Sequence, residues 1–280
     1  MQMKKALRCG AKLLELTTPC TMGIINMTPD SFSDGGQFFA VDKAMQQAAA
    51  MVEAGAKIID IGGESTRPGA QPVSLDDERK RVLPVVNAVK HQFPNVVISV
   101  DTSKPDLMAD AIEAGCEFIN DVNALRAPGA IDVVANSDVA VCLMHMLGKP
   151  RTMQQHPQYN SVVQDVYTFL RQRVETCISA GIARDRLVVD PGFGFGKSLE
   201  HNILLLKHLR EFKELGVALL VGVSRKSMIG TILDKPVDKR LIGSVTLAAM
   251  ALLRGTDIIR VHDVEATMDV LKIINAVESV

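Results

Sequence analysis

Apolar runs along this 280-residue chain end, again and again, on a residue able to do chemistry. Asn26 closes TMGIIN and Asp101 closes VVISVD. Asn120 and Asp121 stand in EFINDV, His145 closes VAVCLMH, and Asp190 follows RLVV. Ser224, Arg225, Lys226 and Ser227 follow ALLVGV, while Arg260, His262 and Asp263 stand in DIIRVHD. The types fall into two sets. Asp101, Asn120 and Asp190 are rich in acceptors and suit a planar ligand that presents several N–H donors, because a carboxylate accepts two parallel hydrogen bonds. Asn26, Arg67, Lys226, Arg260 and His262 are mostly donors or cations and suit a phosphate or diphosphate. One ligand with a donor-rich heterocycle at one end and an anionic leaving group at the other would use both sets.

Taken singly, each residue has an ordinary explanation. Ser103 and Asp263 stand where helices start and could cap them. Asp121 could cap a turn, and Arg225 could pair with a neighbouring helix. His145, between Met144 and Met146, has the setting of a satisfied core histidine. What the ordinary explanations do not cover is an ionisable or amide group at the end of every strand, on one face.

The elements that must gather them are regular. Eight β-rich runs (21–26, 57–62, 96–101, 117–122, 139–145, 186–192, 218–224 and 257–263) alternate with helical patterns near 40–55, 74–92, 104–115, 128–136, 161–181, 199–215, 239–254 and 263–277. The second helix shows the basis: Val82, Val85, Val86 and Val89 recur at helical spacing between charges, after Ser74 as a cap and Asp76, Asp77 and Glu78 in the first turn. The runs are near-continuously apolar, as parallel strands covered on both faces are. Ala-Gly precedes a strand at 54–55, 114–115 and 180–181, a weak repeat of one βα unit. Eight units predict an α/β fold of the (β/α)8 TIM-barrel type, a single domain over 1–280 with the barrel proper about 20–277. A doubly wound open sheet gives no reason for eight units and would want a dinucleotide fingerprint, which is absent. In a barrel, the C-terminal strand ends share one face, and chemistry sits there.

Composition narrows the class. A 47% hydrophobic, 22% charged chain of net charge −1 offers no basic field for nucleic acid or a membrane surface. No apolar run approaches the ~18 residues of a membrane span, and the N-terminal segment lacks the apolar stretch of a signal peptide. Five cysteines without a C-x-x-C pair read as buried reduced thiols, which fits a cytoplasmic location. Three familiar motifs fail. PGFGFGKS (191–198) has Pro191 where a phosphate loop needs glycine, and its spacing is G-x-G-x-G. GVSRK (222–226) lacks the second glycine of a nucleophile elbow. The six histidines include no H-x-x-x-H pair, so a zinc site is not expected.

Four segments together closely resemble the dihydropteroate synthase family of the bacterial folate pathway: NMTPDSFSDGG (26–36), GGESTRPGA (62–70), DPGFGFGKS (190–198) and GVSRKSMIG (222–230). SVDTSKP (99–105), FINDV (118–122) and IIRVHDV (258–264) fit as well. The resemblance implies a transferase that joins p-aminobenzoate to a dihydropterin carrying a methylene diphosphate, releasing diphosphate by early, SN1-like departure. It implies that Thr66, Asp101, Asn120, Asp190 and Lys226 hold the pterin, and that Asn26, Arg67, Arg260 and His262 hold diphosphate, with Mg²⁺ near Asn26. Phe32, Thr66, Pro68, Phe193, Lys226 and Ser227 would shape the aminobenzoate site, and Asp34 joins Asp101, Asp190, Lys226 and Arg67 as a catalytic residue. A homodimer and sulfonamide sensitivity go with the family.

That chemistry needs an electron-rich pterin and a stabilised leaving group rather than an activated nucleophile, because the aniline nitrogen of aminobenzoate is neutral at pH 7. The polar loop 28–36, rich in Gly and small residues, and the loop 64–70 would then be lids that keep water from a cationic intermediate. Two other readings stay open from the residues: a methyltransferase acting on methyl-tetrahydrofolate on the same barrel, and an inactive pterin-binding scaffold.

Overall fold

The computed structural model describes residues 6–27, 36–65, 69–148, 153–154 and 157–279, without side chains for 36–39. Eight parallel strands close into a barrel in the order β10-β3-β4-β5-β6-β7-β8-β9. They are β3 (Cys20–Asn26), β4 (Ile58–Gly62), β5 (Val97–Asp101), β6 (Phe118–Asp121), β7 (Ala140–Met144), β8 (Leu187–Asp190), β9 (Ala218–Val221) and β10 (Ile258–Val261). Helices follow the strands: α1 (Gly36–Glu53), α2 (Leu75–Gln92), α3 (Pro105–Glu113), α4 (Ala130–Ala135), α5 (Val162–Ser179), α6 (Leu199–Lys207), α7 (Ser227–Leu233), α8 (Leu241–Leu252) and α9 (Val264–Glu278). This is the expected (β/α)8 barrel. Each strand has a period of two. Ile59, Ile61, Ile98, Val100, Ile119, Val141, Val189 and Leu219 pack outward into the main core with the helices. Their neighbours Met22, Ile58, Val97, Phe118, Cys142, Val188, Leu220 and Ile258 fill the barrel interior.

Local chemistry explains the helix boundaries. Ser74 accepts the Asp77 N–H at 3.2 Å to cap α2, and Val82, Val85, Val86 and Val89 form its buried stripe. Ser198 and His201 form a reciprocal cap on α6. Three details differ from the sequence reading. The helical pattern near 199–215 breaks at His208 into α6 and a 3₁₀ segment, Leu209–Leu215. Lys104, not Ser103, occupies the N-cap of α3, and neither gives a side-chain cap. A short helix, α7, follows directly after Lys226.

The chain also has an N-terminal hairpin that the sequence reading lacked, β1 (Ala6–Cys9) antiparallel to β2 (Lys12–Glu15). Leu7, Cys9 and Leu16 pack on the interior strand residues, so the hairpin plugs the N-terminal mouth. Lys12 fastens it by donating to Val96 O at 2.6 Å and to Glu117 at 2.8 Å. The five cysteines are free and buried. Among the described residues, no helix is long and apolar enough to cross a membrane.

Candidate active site at the C-terminal mouth

The same two-residue period builds the site. Counting up each strand from its apolar interior residue gives Asp60 and Gly62 after Ile58, then Ser99 and Asp101 after Val97. It gives Asn120 after Phe118, Asp190 after Val188, and Arg260 after Ile258. The lower interior is therefore apolar and the upper interior polar. In-facing Gly62 and Gly222 carry no side chain, which leaves space beside Asp101 and Arg260.

The hub is Asp60, fully buried in the middle of β4. It accepts from Ser99 Oγ at 2.5 Å, Asn120 Nδ2 at 3.1 Å and Arg260 Nε at 2.6 Å. Arg260 Nη2 donates to Asp101 at 2.8 Å. One buried and one partly buried carboxylate thus share one guanidinium, which compensates one negative charge. Burial, opposed by Arg260 and reinforced by the Asp60 charge, pushes Asp101 up to about 7. Burial alone would lower the Arg260 pKa, but Asp60 and Asp101 outweigh it and hold Arg260 charged. Arg260 was expected among the anion-holding set; here it is tied to the acceptor set, because buried carboxylates need a counter-charge. Two of its five N–H groups make these bonds.

Asp190 ends β8 and accepts the Gly192 N–H at 2.7 Å. Burial raises its pKa, and Lys226 opposes that shift. Lys226 occupies the N-cap position of α7, and its ammonium donates to Phe193 O and lies 4.6 Å over the Phe195 ring. Burial lowers Lys226 to about 8 against the pull of Asp190. The Phe193 ring is fully buried in the main core, so only its carbonyl meets Lys226. The aromatic face that Lys226 meets is that of Phe195.

The remaining expected residues ring the mouth. Asn26 is exposed at the end of β3, and Ser227 is exposed at the start of α7. His262 Nδ1 lies 3.1 Å from Ser224 Oγ. Phe32, Asp34, Thr66, Arg67 and Pro68, with residues 28–35 of the expected lid 28–36 and 66–68 of the expected lid 64–70, lie outside the described residues. Three residues take their ordinary reading. Asp121 caps a turn by accepting from Asn123 and Leu125, and Arg225 pairs with Asp263 at the start of α9. His145 is buried, edge-on to Phe169, with Lys197 Nζ 3.0 Å from its Nδ1. Burial and the Lys197 charge push His145 down to about 2.

Asp60, Ser99, Lys197 and Phe195 were missed from sequence. Asp60 had a signal: a carboxylate inside the apolar run KIIDIG is unusual in itself. Lys197 lay within a motif rejected as a phosphate loop, and it points into the protein, donating to His145 O and Phe195 O. Among the described residues, no group of three or more His, Cys, Asp or Glu side chains could hold a metal ion.

The chain as a whole has known relatives. A family model described as pterin binding enzyme matches residues 22–262. Dihydropteroate synthase of Haemophilus influenzae is 54% identical over 94% of this chain and 95% of its own length. The crystal structure of the Yersinia pestis dihydropteroate synthase in a sulfonamide drug complex superposes with a TM-score of 0.93 at 48% identity, covering 98% of this chain and 100% of that one. The Xanthomonas albilineans dihydropteroate synthase with 4-aminobenzoic acid gives a TM-score of 0.93 at 46% identity, covering 99% of each chain. This chain belongs to the pterin binding enzyme family, with the dihydropteroate synthases.

Proposed function

We infer that the chain condenses p-aminobenzoate with (7,8-dihydropterin-6-yl)methyl diphosphate, giving 7,8-dihydropteroate and diphosphate for folate biosynthesis. The observation that carries this reading is the in-facing set Asp101, Asn120 and Asp190 beside Lys226 and Arg260 at one barrel mouth. Asp101, Asn120 and Asp190 receive the N–H edge of the pterin. Their negative field keeps the ring electron-rich, which stabilises positive charge on the methylene as diphosphate leaves. The Lys226 ammonium, beside Asp190, donates to the pterin and lies against the aminobenzoate pocket. Ser227, Phe32, Thr66 and Pro68 complete that pocket, with Phe193 meeting it through its backbone carbonyl and Phe195 through its ring.

Diphosphate is held by Asn26, Arg67, Arg260 and His262 around the exposed rim, with Asp34 as a further catalytic group. No general base is needed. Asn26 would hold Mg²⁺ through its amide oxygen, and the ion would supply charge neutralisation on the leaving group. The chain works as one domain, in the cytoplasm and as a homodimer. The dimer face is the outer side of α7, α8 and α9, where Ile232, Leu241, Ile242, Leu253, Ile273 and Val277 are exposed.

The test supplies the pterin diphosphate, Mg²⁺ and labelled p-aminobenzoate to the purified protein. Labelled dihydropteroate and diphosphate in equal amounts are expected. No product while the pterin diphosphate binds would overturn the reading and favour an inactive scaffold; methyl transfer in a corrinoid assay would favour a methyltransferase.

A further inference from the structure

Lys226 depends on a turn with unusual backbone geometry. Arg225, just before it, has φ +57°, a conformation that side chains other than glycine adopt at a cost. Lys226 itself starts α7 without a side-chain capping bond, and within that helix its carbonyl accepts the Ile229 N–H at 3.1 Å. The turn is held from outside. Ser244 Oγ, on α8, accepts the Arg225 N–H at 2.9 Å. The Arg225 side chain pairs with Asp263 at 3.0 Å through Nε. The third tie is Arg240, the residue that precedes α8. Its Nη1 donates to Arg225 O at 3.1 Å and to Lys226 O at 3.4 Å, and its Nε donates to Lys235 O at 3.0 Å.

The path of the Arg240 side chain is specified as well. It crosses α7 at Gly230, where an added Cβ would lie 2.1 Å from Nη2. Glycine at 230 is therefore what lets the guanidinium reach the turn. None of these contacts involves substrate. They join α7, the strand-end turn and the start of α8 through one planar donor group, which a lysine ammonium could not reproduce.

We propose that Arg240 is a positioning residue for Lys226: laid across Gly230, its guanidinium holds the carbonyls of Arg225 and Lys226 and fixes the turn from which the Lys226 ammonium reaches Phe193 O. The proposal rests on the synthase reading for the role of Lys226. It assigns Arg240 no contact with either substrate.

The experiment compares wild type with Arg240→Met and Gly230→Ala in the full chain, measuring kcat/KM for p-aminobenzoate from pH 6 to 10. Wild-type turnover is the control for the reaction itself; without it, the synthase reading fails and the brace is judged by the second measurement. Both variants are expected to lose on the order of 10- to 100-fold in kcat/KM, the scale of a small misplacement of a reacting group. The alkaline limb set by Lys226 should also move upward from about 8, because a loosened ammonium regains water. Arg240→Lys should recover less than half of the loss. The second measurement is the Lys226 titration itself, read by NMR of the side-chain amine without substrate, where the same upward movement is expected. Variants that fold with a wild-type melting curve, an unmoved Lys226 titration and unchanged kcat/KM would overturn the proposal.

Discussion

Asp60→Asn is the substitution that most directly probes how the barrel mouth is held together. The side chain keeps its size, and only the charge and one acceptor go. In wild type, three donors converge on Asp60: Ser99 Oγ, Asn120 Nδ2 and Arg260 Nε. An asparagine offers one carbonyl oxygen to them and presents its own amide hydrogens to the rest. At 2.6 Å and an effective dielectric near 20, the attraction to Arg260 is roughly 6 kcal/mol before desolvation is counted. Burying the carboxylate offsets part of that, and Arg260 keeps its bond to Asp101. A net loss of about 3 kcal/mol follows, at the lower end of what breaking a buried pair costs. In a domain of ~5–15 kcal/mol total stability, that lowers Tm by on the order of 10 °C. Asn120 loses its anchor, so pterin affinity should fall by about tenfold or more, a change of ~1.4 kcal/mol. With the neighbouring negative charge gone, Asp101 should titrate below about 7. Urea unfolding and titration calorimetry with the pterin diphosphate measure both effects. A variant within ~0.5 kcal/mol of wild type that binds pterin as tightly would refute the hub.

Lys226→Ala should abolish turnover and weaken pterin binding; near-normal kcat/KM would remove Lys226 from its role. In wild type, kcat/KM should fall as pH rises through about 8, where the Lys226 ammonium loses its proton, and a profile flat to pH 9.5 would contradict this. His145→Gln should flatten the acid side of the stability curve. His145 titrates near 2 when folded and near 6.5 when unfolded, so its contribution is complete above about 6.5 and is lost as pH falls, at roughly 1.4 kcal/mol per unit. Equal slopes for wild type and variant between pH 4 and 6 would rule that out. Gly192→Ala should destabilise the loop after β8 by more than the ~1–3 kcal/mol of backbone strain alone, because φ is +71° and the new Cβ would lie 1.9 Å from His145 O. A melting curve like that of wild type would show that the loop can rearrange.

Most of the barrel was legible because apolar runs and helical spacing are local signals. The strand-end positions of Asp101, Asn120, Asp190 and Arg260 followed from the fold once eight βα units were counted. The interior was read less well. Treating the strands as continuously apolar hid the change from an apolar lower layer to a polar upper one, and with it Asp60 and Ser99, which sit one pleat below the strand ends. The division into acceptor and donor sets also missed that Arg260 joins them, since a shared counter-charge is set by distances across the barrel. The hairpin Ala6–Glu15 escaped because two four-residue strands carry little periodicity, and their burial depends on the barrel mouth they fill. The Arg240 brace joins residues 14 and 15 positions apart through backbone carbonyls, which side-chain patterns do not record.

The central claim is that the polar upper layer of the barrel receives the pterin. A crystal structure with the pterin diphosphate bound tests it most directly. The expected result places the heterocycle's N–H groups on Asp101, Asn120 and Asp190, with the diphosphate turned toward Asn26, Arg260 and His262. A pterin bound elsewhere, for example in the open cleft of about 450 Å³ between α5 and α6 beside His201, would contradict it.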